Sequence, residues 1–342
     1  MDILNKIKII VPAEYTESVA RTIFALEEGV FTKIICGASN TNEKQVERLA
    51  FIYALSGVNV IDVAPDQKII QAAKTGITKA CELHNQSRKI FPDFKEPVLM
   101  VSLNSGDDLH FRKAEINYEK CTNCFECINS CPSRALYSEN NLLKLNKNNC
   151  VGCGRCSETC LQDAIMFTKI NNSSDINFEE IKAVEIHTGN NSIKEVKSFL
   201  NSNLSSLKNI ELLSFCVESK RFNPTELQDY AYSLTNLINQ KVIIQIDGIP
   251  MGATDKPFSS LQALSAAAIL LESKLNAYIQ LSGGTNHLTK KLVKQLGLKI
   301  SGIGYGTFAR KIILSYIEEL DDDKFNEQLQ RIVNITTSLV VN

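Results

Sequence analysis

The sequence predicts an α/β fold: a (β/α)8, TIM-like barrel interrupted once by a small cysteine-rich insertion. Three observations predict it. Eight short runs of apolar and β-branched residues recur along the 342-residue chain, and near-continuous apolar runs are what strands covered on both faces look like. Most of these runs are followed by a stretch whose apolar residues have helical spacing. Finally, eight of the eleven cysteines fall within residues 121–160, and the barrel pattern stands on either side of them.

The elements follow in order. An extra helix over 14–28 precedes the first strand, 33–38 (KIICGA), and a helix over 41–55 follows it. The second strand is 58–63 (VNVIDV) with a helix over 65–83, and the third is 97–103 (PVLMVSL). There the alternation breaks. The cysteine-rich segment occupies 112–170, residues 171–175 (NNSSD) read as its exit linker, and a short helix over 175–182 leads to the fourth strand, 183–187 (AVEIH). The remaining strands are 210–216, 242–247, 277–282 and 299–303, and helices are expected over 192–207, 225–238, 257–271, 288–296 and 307–320. Domains are accordingly drawn at 1–111 and 171–342 for the two parts of the barrel, with 112–170 as the insertion. About 280 residues remain for the barrel, close to the usual size. An open doubly wound sheet is the alternative, because strand order is not written in the sequence.

Composition limits the function. Hydrophobic residues make up 44% and charged residues 22%, and the formal net charge is −1. No global field favours nucleic acid or an anionic membrane. No apolar run reaches the length of a transmembrane helix, and the N-terminus shows no small-residue cleavage site. A cytoplasmic, reducing location is expected. Cys36, Cys81 and Cys216 lie in apolar contexts and read as small buried hydrophobes.

The insertion carries the chemistry. Its first motif is Cys121-x2-Cys124-x2-Cys127-x3-Cys131-Pro132, and its second is Cys150-x2-Cys153-x2-Cys156-x3-Cys160-Leu161. Every cysteine recurs 29 residues later, and Ala135-Leu136 recurs as Ala164-Ile165. Three thiolates spaced this closely on a tight loop can reach three corners of one cubane cluster. Zinc sites separate their ligand pairs by longer spans. The single C-x3-C-x2-C motif of radical S-adenosylmethionine enzymes is absent. The segment resembles bacterial two-cluster ferredoxins. That resemblance implies two 4Fe-4S clusters with crossed ligation: Cys121, Cys124, Cys127 and Cys160 on one, and Cys150, Cys153, Cys156 and Cys131 on the other. The fourth cysteine of each motif is expected to start a short helix, with Leu161 standing where the pattern has Pro. Gly152 and Gly154 are expected to let the backbone approach the sulfides.

Polar residues at the strand ends are Asn40, Asp62, Asn104, His187, Glu218 and Asp247, of which His187 and Asp247 sit most directly at a strand terminus. His84 reads as a solvated helix residue and His110 as part of the linker into the insertion. A stronger signal is glycine. Gly283-Gly284 follows the seventh strand, and Gly304-x-Gly306-Thr307 closes the eighth ahead of a helix. Loops after strands 7 and 8 of such barrels often grip phosphate. The pair resembles the phosphate loops of flavin mononucleotide barrels, which implies a flavin or another phosphate-bearing ligand.

The chain as a whole resembles the light-dependent period protein family of cyanobacteria. The matching segments are 33–40 (KIICGASN), 110–114 (HFRKA), 183–188 (AVEIHT) and 280–286 (QLSGGTN). The resemblance implies an iron–sulfur protein that couples photosynthetic redox or light state to the circadian clock, through a redox partner or regulatory protein. A redox sensor is therefore the first reading. An iron–sulfur oxidoreductase with an anion or flavin site at the barrel mouth is the second. No catalytic acid–base set stands out from the sequence, which favours the sensor. A dedicated electron carrier fits poorly with so large a non-redox domain.

Overall fold

The computed structural model describes residues 14–87, 90–249, 256–319 and 321–340. Its first half runs α1 (Glu17–Glu27), β1 (Phe31–Ile35), α2 (Glu43–Leu55), β2 (Val60–Val63), α3 (Gln67–Gln86) and β3 (Val98–Asn104). The insertion then contributes β4 (Arg112–Ile116), α4 (Glu126–Ser130), β5 (Leu136–Glu139), β6 (Leu142–Leu145), α5 (Arg155–Thr159) and β7 (Ile165–Lys169). The chain returns through β8 (Ala183–His187), α6 (Ile193–Ser202), α7 (Leu204–Leu207), β9 (Leu212–Glu218), α8 (Pro224–Leu237) and β10 (Val242–Asp247). It ends with α9 (Leu261–Glu272), β11 (Ala277–Ser282), α10 (Thr289–Leu296), β12 (Gly302–Tyr305), α11 (Thr307–Lys311), α12 (Leu314–Glu319) and α13 (Asp322–Val340).

Strands β1, β2, β3, β8, β9, β10, β11 and β12 pair in parallel and close, with β1 bonded to both β2 and β12. This is the expected barrel, and closure excludes the open sheet. Outward residues such as Ile34, Ile61, Val184, Phe215 and Ile244 pack under the helices in the main core. Inward residues form layers. At the amino end Phe31, Val60, Val98, Ala183, Leu212 and Ile243 make an apolar layer, which Val19, Ala25 and Leu26 of α1 plug from below. Asn42, Asp66, Ser192 and Asn223 cap α2, α3, α6 and α8 with their side chains, satisfying N–H groups that would otherwise lack partners.

Four points differ from these expectations. The helix expected over 175–182 is a single 3-10 turn, Phe178–Glu180, so the insertion replaces the third barrel helix. The stretch 307–320 splits into α11 and α12, and Leu320 lies outside the described residues. Helix α13 was not anticipated; it buries Phe325, Leu329, Ile332, Val333 and Thr336 and packs on α2, where Arg48 stacks on Phe325 at 4.4 Å. His84, read as solvated, stacks on Phe94 with ring centroids 4.4 Å apart.

The insertion sits at the carboxyl end of β3. Asn172 clamps both of its ends: its side chain accepts from Asn104 N (2.8 Å) and donates to Asn104 O (2.9 Å). It then leans over the β1–α2 loop. Thr41 N donates to Asn148 O (3.1 Å), Asn42 Nδ2 to Asn149 Oδ1 (2.6 Å) and Lys113 Nζ to Thr41 Oγ1 (3.0 Å). The insertion therefore shares a face with the loops that follow β11 and β12. Among the described residues, no helix is long and apolar enough to cross a membrane.

Candidate functional site

The insertion repeats itself at the level of the backbone. In the first motif Asn123 and Phe125 adopt left-handed φ values of 55° and 65°, and in the second Gly152 and Gly154 take 66° and 90° at the same places. Arg134 and Asp163 form a third matched pair at 49° and 47°. The glycines thus serve a shared left-handed turn, which the first motif makes with larger residues at some strain. Gly152 has a further reason: a Cβ there would lie 2.3 Å from Arg112 O. Arg112 itself donates from Nε to Gly152 O (2.8 Å) and stacks on Phe167 at 4.0 Å, fixing the second loop to β4 and β7.

Cys127 and Cys156 lie inside α4 and α5, while Cys131 and Cys160 follow those helices as extended C-caps. The fourth cysteine of each motif ends a helix and does not begin one, which corrects the expectation. Leu161 beside it is 94% exposed. Cys121, Cys124, Cys127 and Cys160 line one cavity. In the other group burial raises Cys153 and Cys156, with Cys131 and Cys150 close enough to both to add to the effect; Cys156 is pushed up to about 12. Three sulfurs accept backbone N–H bonds: Cys150 from Ala114 (3.3 Å), Cys131 from Ala135 (3.2 Å) and Cys160 from Ala164 (3.4 Å). The last two come from equivalent positions of the repeat. None of the eleven cysteines is in a disulfide. Convergent free thiols with N–H donors to sulfur are a donor set that fits an iron–sulfur cofactor.

Beneath the insertion the barrel interior is polar. Lys33 on β1 is fully buried, and its Nζ lies 2.5 Å from Glu185 Oε2 and 3.5 Å from Asp62 Oδ2. Glu185 also accepts from Ser214 Oγ and Gln245 Nε2, each at 2.8 Å, and Gln280 Nε2 donates to Gln245 at 2.5 Å. Burial alone would lower the Lys33 ammonium, but Glu185 and Asp62 hold it above its ordinary value. Burial pushes Asp62 up to about 6 against the pull of Lys33. Of the two carboxyls Asp62 is the first to take a proton as pH falls, because Glu185 has the closer cation and more donors. Gly304 lies in this layer, in β12; a Cβ there would come within 2.7 Å of Gln280 Nε2, so its bareness makes room for the glutamine chain and not for a phosphate.

At the mouth, the segment between β3 and β4 folds over the strand ends. Asp108 Oδ1 meets His110 Nδ1 at 2.6 Å, and Asp108 Oδ2 meets His187 Nδ1 at 3.3 Å. His110 Nε2 faces Asp247 Oδ2 at 3.3 Å, and His187 Nε2 faces Glu185 Oε1 at 3.4 Å. Burial disfavours charge on all three, yet Asp108 is held well below the usual carboxylate range by the two histidines, His110 well above its ordinary value by Asp108 and Asp247, and His187 well above it by Cys216 and then Asp108. Gly283, Gly284, Gly306 and Thr307 line a cleft of about 60 Å³ together with His110, His187 and Arg310. Arg310 is held by Ile35 O (2.7 Å) and Thr307 Oγ1 (3.2 Å). The two glycine loops therefore share one cleft, with Gly304 set below it. Helix α11 has only five residues and adds little dipole; Arg310 and the imidazoles supply the positive charge. The chain 250–255, which continues from cleft-lining Ile249, lies outside the described residues. A larger cavity of about 520 Å³ lies elsewhere, against Lys290, Lys291 and Lys294 of α10.

Of the strand-end residues, His187 and Asp247 reach the mouth and Asp62 the layer below it. Asn40 bonds Cys36 O and Gln45, Asn104 ties down the insertion, and Glu218 pairs with Lys220. The sequence reading missed Lys33, Glu185, Asp108 and Arg310. It took His110 for linker and Cys216, which lies beside His187, for a plain hydrophobe.

Comparison with known proteins identifies both parts. Residues 113–161 match the 4Fe-4S dicluster domain, and residues 176–342 match the light dependent period A C-terminal domain. "Light dependent period A" of Synechococcus elongatus is 29% identical over 338 residues, covering 92% of each chain. Residues 176–342 are a light dependent period A C-terminal domain, and the whole chain is similar to that protein family. Within that family's pattern it is an iron–sulfur protein built on a closed parallel barrel. The cassette alone is also similar to the pyruvate synthase subunit PorD of Thermotoga maritima, 37% identical over 51 residues, 15% of this chain and 52% of that subunit. Among solved structures, (S)-3-O-geranylgeranylglyceryl phosphate synthase from Thermoplasma acidophilum overlaps 94% of this chain and 98% of its own, at 11% identity and a TM-score of 0.43. An overlap of that size adds nothing to the topology read from strand pairing.

Proposed function

We propose that this relative of the light dependent period A family is a redox sensor. It would hold two 4Fe-4S clusters, on Cys121, Cys124, Cys127 and Cys160 and on Cys150, Cys153, Cys156 and Cys131, and report their state at the barrel mouth. When bound, the clusters store and release single electrons. The observation that carries the reading is the continuity of one short segment. Asp108 and His110 engage the mouth, and four residues further on Ala114 N–H donates to Cys150 Sγ. A change of charge on that sulfur acts directly on a strand anchored in the barrel's buried ionic network. Exposed Tyr118, Tyr137, Leu142, Leu161 and Met166 on the cassette offer apolar surface to a regulatory or redox partner, and the light-dependent timing named for the cyanobacterial relative is the process proposed for it.

The crossed ligand sets support the two-cluster count and give its test. Cys131→Ser should impair the cluster of the second motif, and Cys160→Ser that of the first, in magnetic resonance spectra of the reduced protein. Loss of the first motif's cluster in Cys131→Ser would show that ligation follows the sequence blocks. The second reading, an oxidoreductase with a small anion at the mouth, draws on the cleft beside Arg310, Gly283 and Thr307. Inorganic phosphate, a short carboxylate and flavin mononucleotide are the ligands to titrate there.

A further inference from the structure

We propose that Asp108, His110 and His187 bind a divalent first-row transition-metal ion at the barrel mouth, separate from the cassette. The ligand atoms of the three residues lie within 4.8 Å of one another. Asp108 stands between the two rings, and each of its oxygens faces one Nδ1, at 2.6 Å for His110 and 3.3 Å for His187. The opposite nitrogen of each ring is turned to a carboxylate of its own: Asp247 for His110 at 3.3 Å and Glu185 for His187 at 3.4 Å. That is the arrangement of metal-binding imidazoles, in which one nitrogen takes the ion and the other is oriented by a carboxylate.

The second carboxylates are themselves placed. Glu185 is gripped by Lys33, Ser214 and Gln245. Phe111 holds the His187 ring edge-on, with centroids 5.1 Å apart. A hydrogen-bonded histidine needs one carboxylate; here two rings converge on one and each has another behind it. His187 also lies with Glu185 and Cys216 in a second cluster of donors. Glu185 is already engaged there by three donors, so the ion belongs on the Asp108 side.

Two imidazoles and one carboxylate suit zinc, iron(II) or manganese(II), whereas calcium and magnesium prefer oxygen ligands alone. His110 and His187 both line the cleft that Gly283 and Thr307 share, so the ion's open positions would face it and take water or a small anion.

Zinc tests this without confusion with cluster iron. Full-length protein with reconstituted clusters is dialysed anaerobically against micromolar zinc, and zinc and acid-labile sulfide are counted per chain. The expected result is one zinc per chain at full sulfide content. Affinity should fall by about tenfold or more in His110→Gln and in Asp108→Asn, while the cassette variant Cys131→Ser still takes up zinc at the mouth. Absence of stoichiometric zinc from the wild-type protein overturns the proposal. So does zinc uptake that both mouth variants leave unchanged, because the metal would then sit on cassette thiols. The proposal does not depend on redox sensing, and neither result bears on cluster ligation.

Discussion

Lys33 holds its place only because of what surrounds it. A buried ammonium is costly unless paired, and here it joins Glu185 and Asp62 from β8 and β2. Lys33→Met would leave the Glu185 carboxylate buried without its nearest cation. We expect a loss of ~3–5 kcal/mol, read from urea unfolding followed by circular dichroism, with part of it restored by adding Glu185→Gln. A loss well under 1 kcal/mol would show the pair to be dispensable. The sequence carried half of this information. A lysine in KIICGA and a glutamate in AVEIH are odd in strands covered on both faces, and that oddity was available. Their partnership was not, since they stand 152 residues apart and only barrel closure brings them together. For the same reason His110 read as linker: nothing local shows that the segment before the cassette turns back over the strand ends.

Among the elements, periodicity located all eight barrel strands, with shifts of a few residues at the ends. One such shift is at β12, where Gly304 was expected in the closing loop but lies in the strand; a glycine suggests a turn unless a neighbour needs its space, and here Gln280 does. Helix α13 is legible in the spacing of Phe325, Leu329, Ile332 and Thr336, although the eight units of the barrel are complete without it. The duplicated cassette makes a sharper test. Positions 125 and 154 correspond, and Phe125 shows that a side chain is tolerated in that turn. Positions 123 and 152 correspond as well, but Arg112 O closes off the space at Gly152. We therefore expect Gly154→Asn to retain near-normal iron and sulfide, while Gly152→Asn loses most of the second motif's cluster. Equal retention in both would mean that Arg112 gives way easily and does not set the loop.

Across the whole molecule, the position of the cassette follows from connectivity. A connection leaving the carboxyl end of β3 must emerge on the face where β11 and β12 present their loops, and the sequence showed where the insertion begins. It did not show that the exit would come back to the same point, which the Asn104–Asn172 clamp secures, nor that the segment 105–111 would become part of the mouth. That segment is tied at each end. Ser105 donates from its backbone and side chain to His187 O (3.1 and 2.7 Å), and Asn191 Nδ2 donates to Ser105 O (2.7 Å). Ile170 N donates to Phe111 O at 2.9 Å, just before the strand that reaches Cys150. A more negative sulfur strengthens an N–H bond to it, so reduction should pull on Ala114 and tighten β4 against the second motif. Because β4 is continuous with the mouth, the change cannot stop at the cassette if the protein senses redox state. Hydrogen exchange of anaerobic full-length protein, oxidised against reduced, should show altered protection in residues 105–114 as well as at Ala135 and Ala164. Helix α1, which plugs the opposite, amino end of the barrel, should not change. Differences confined to 117–164 would leave the barrel a passive support, and the sensing role would then have to lie in the cassette surface alone.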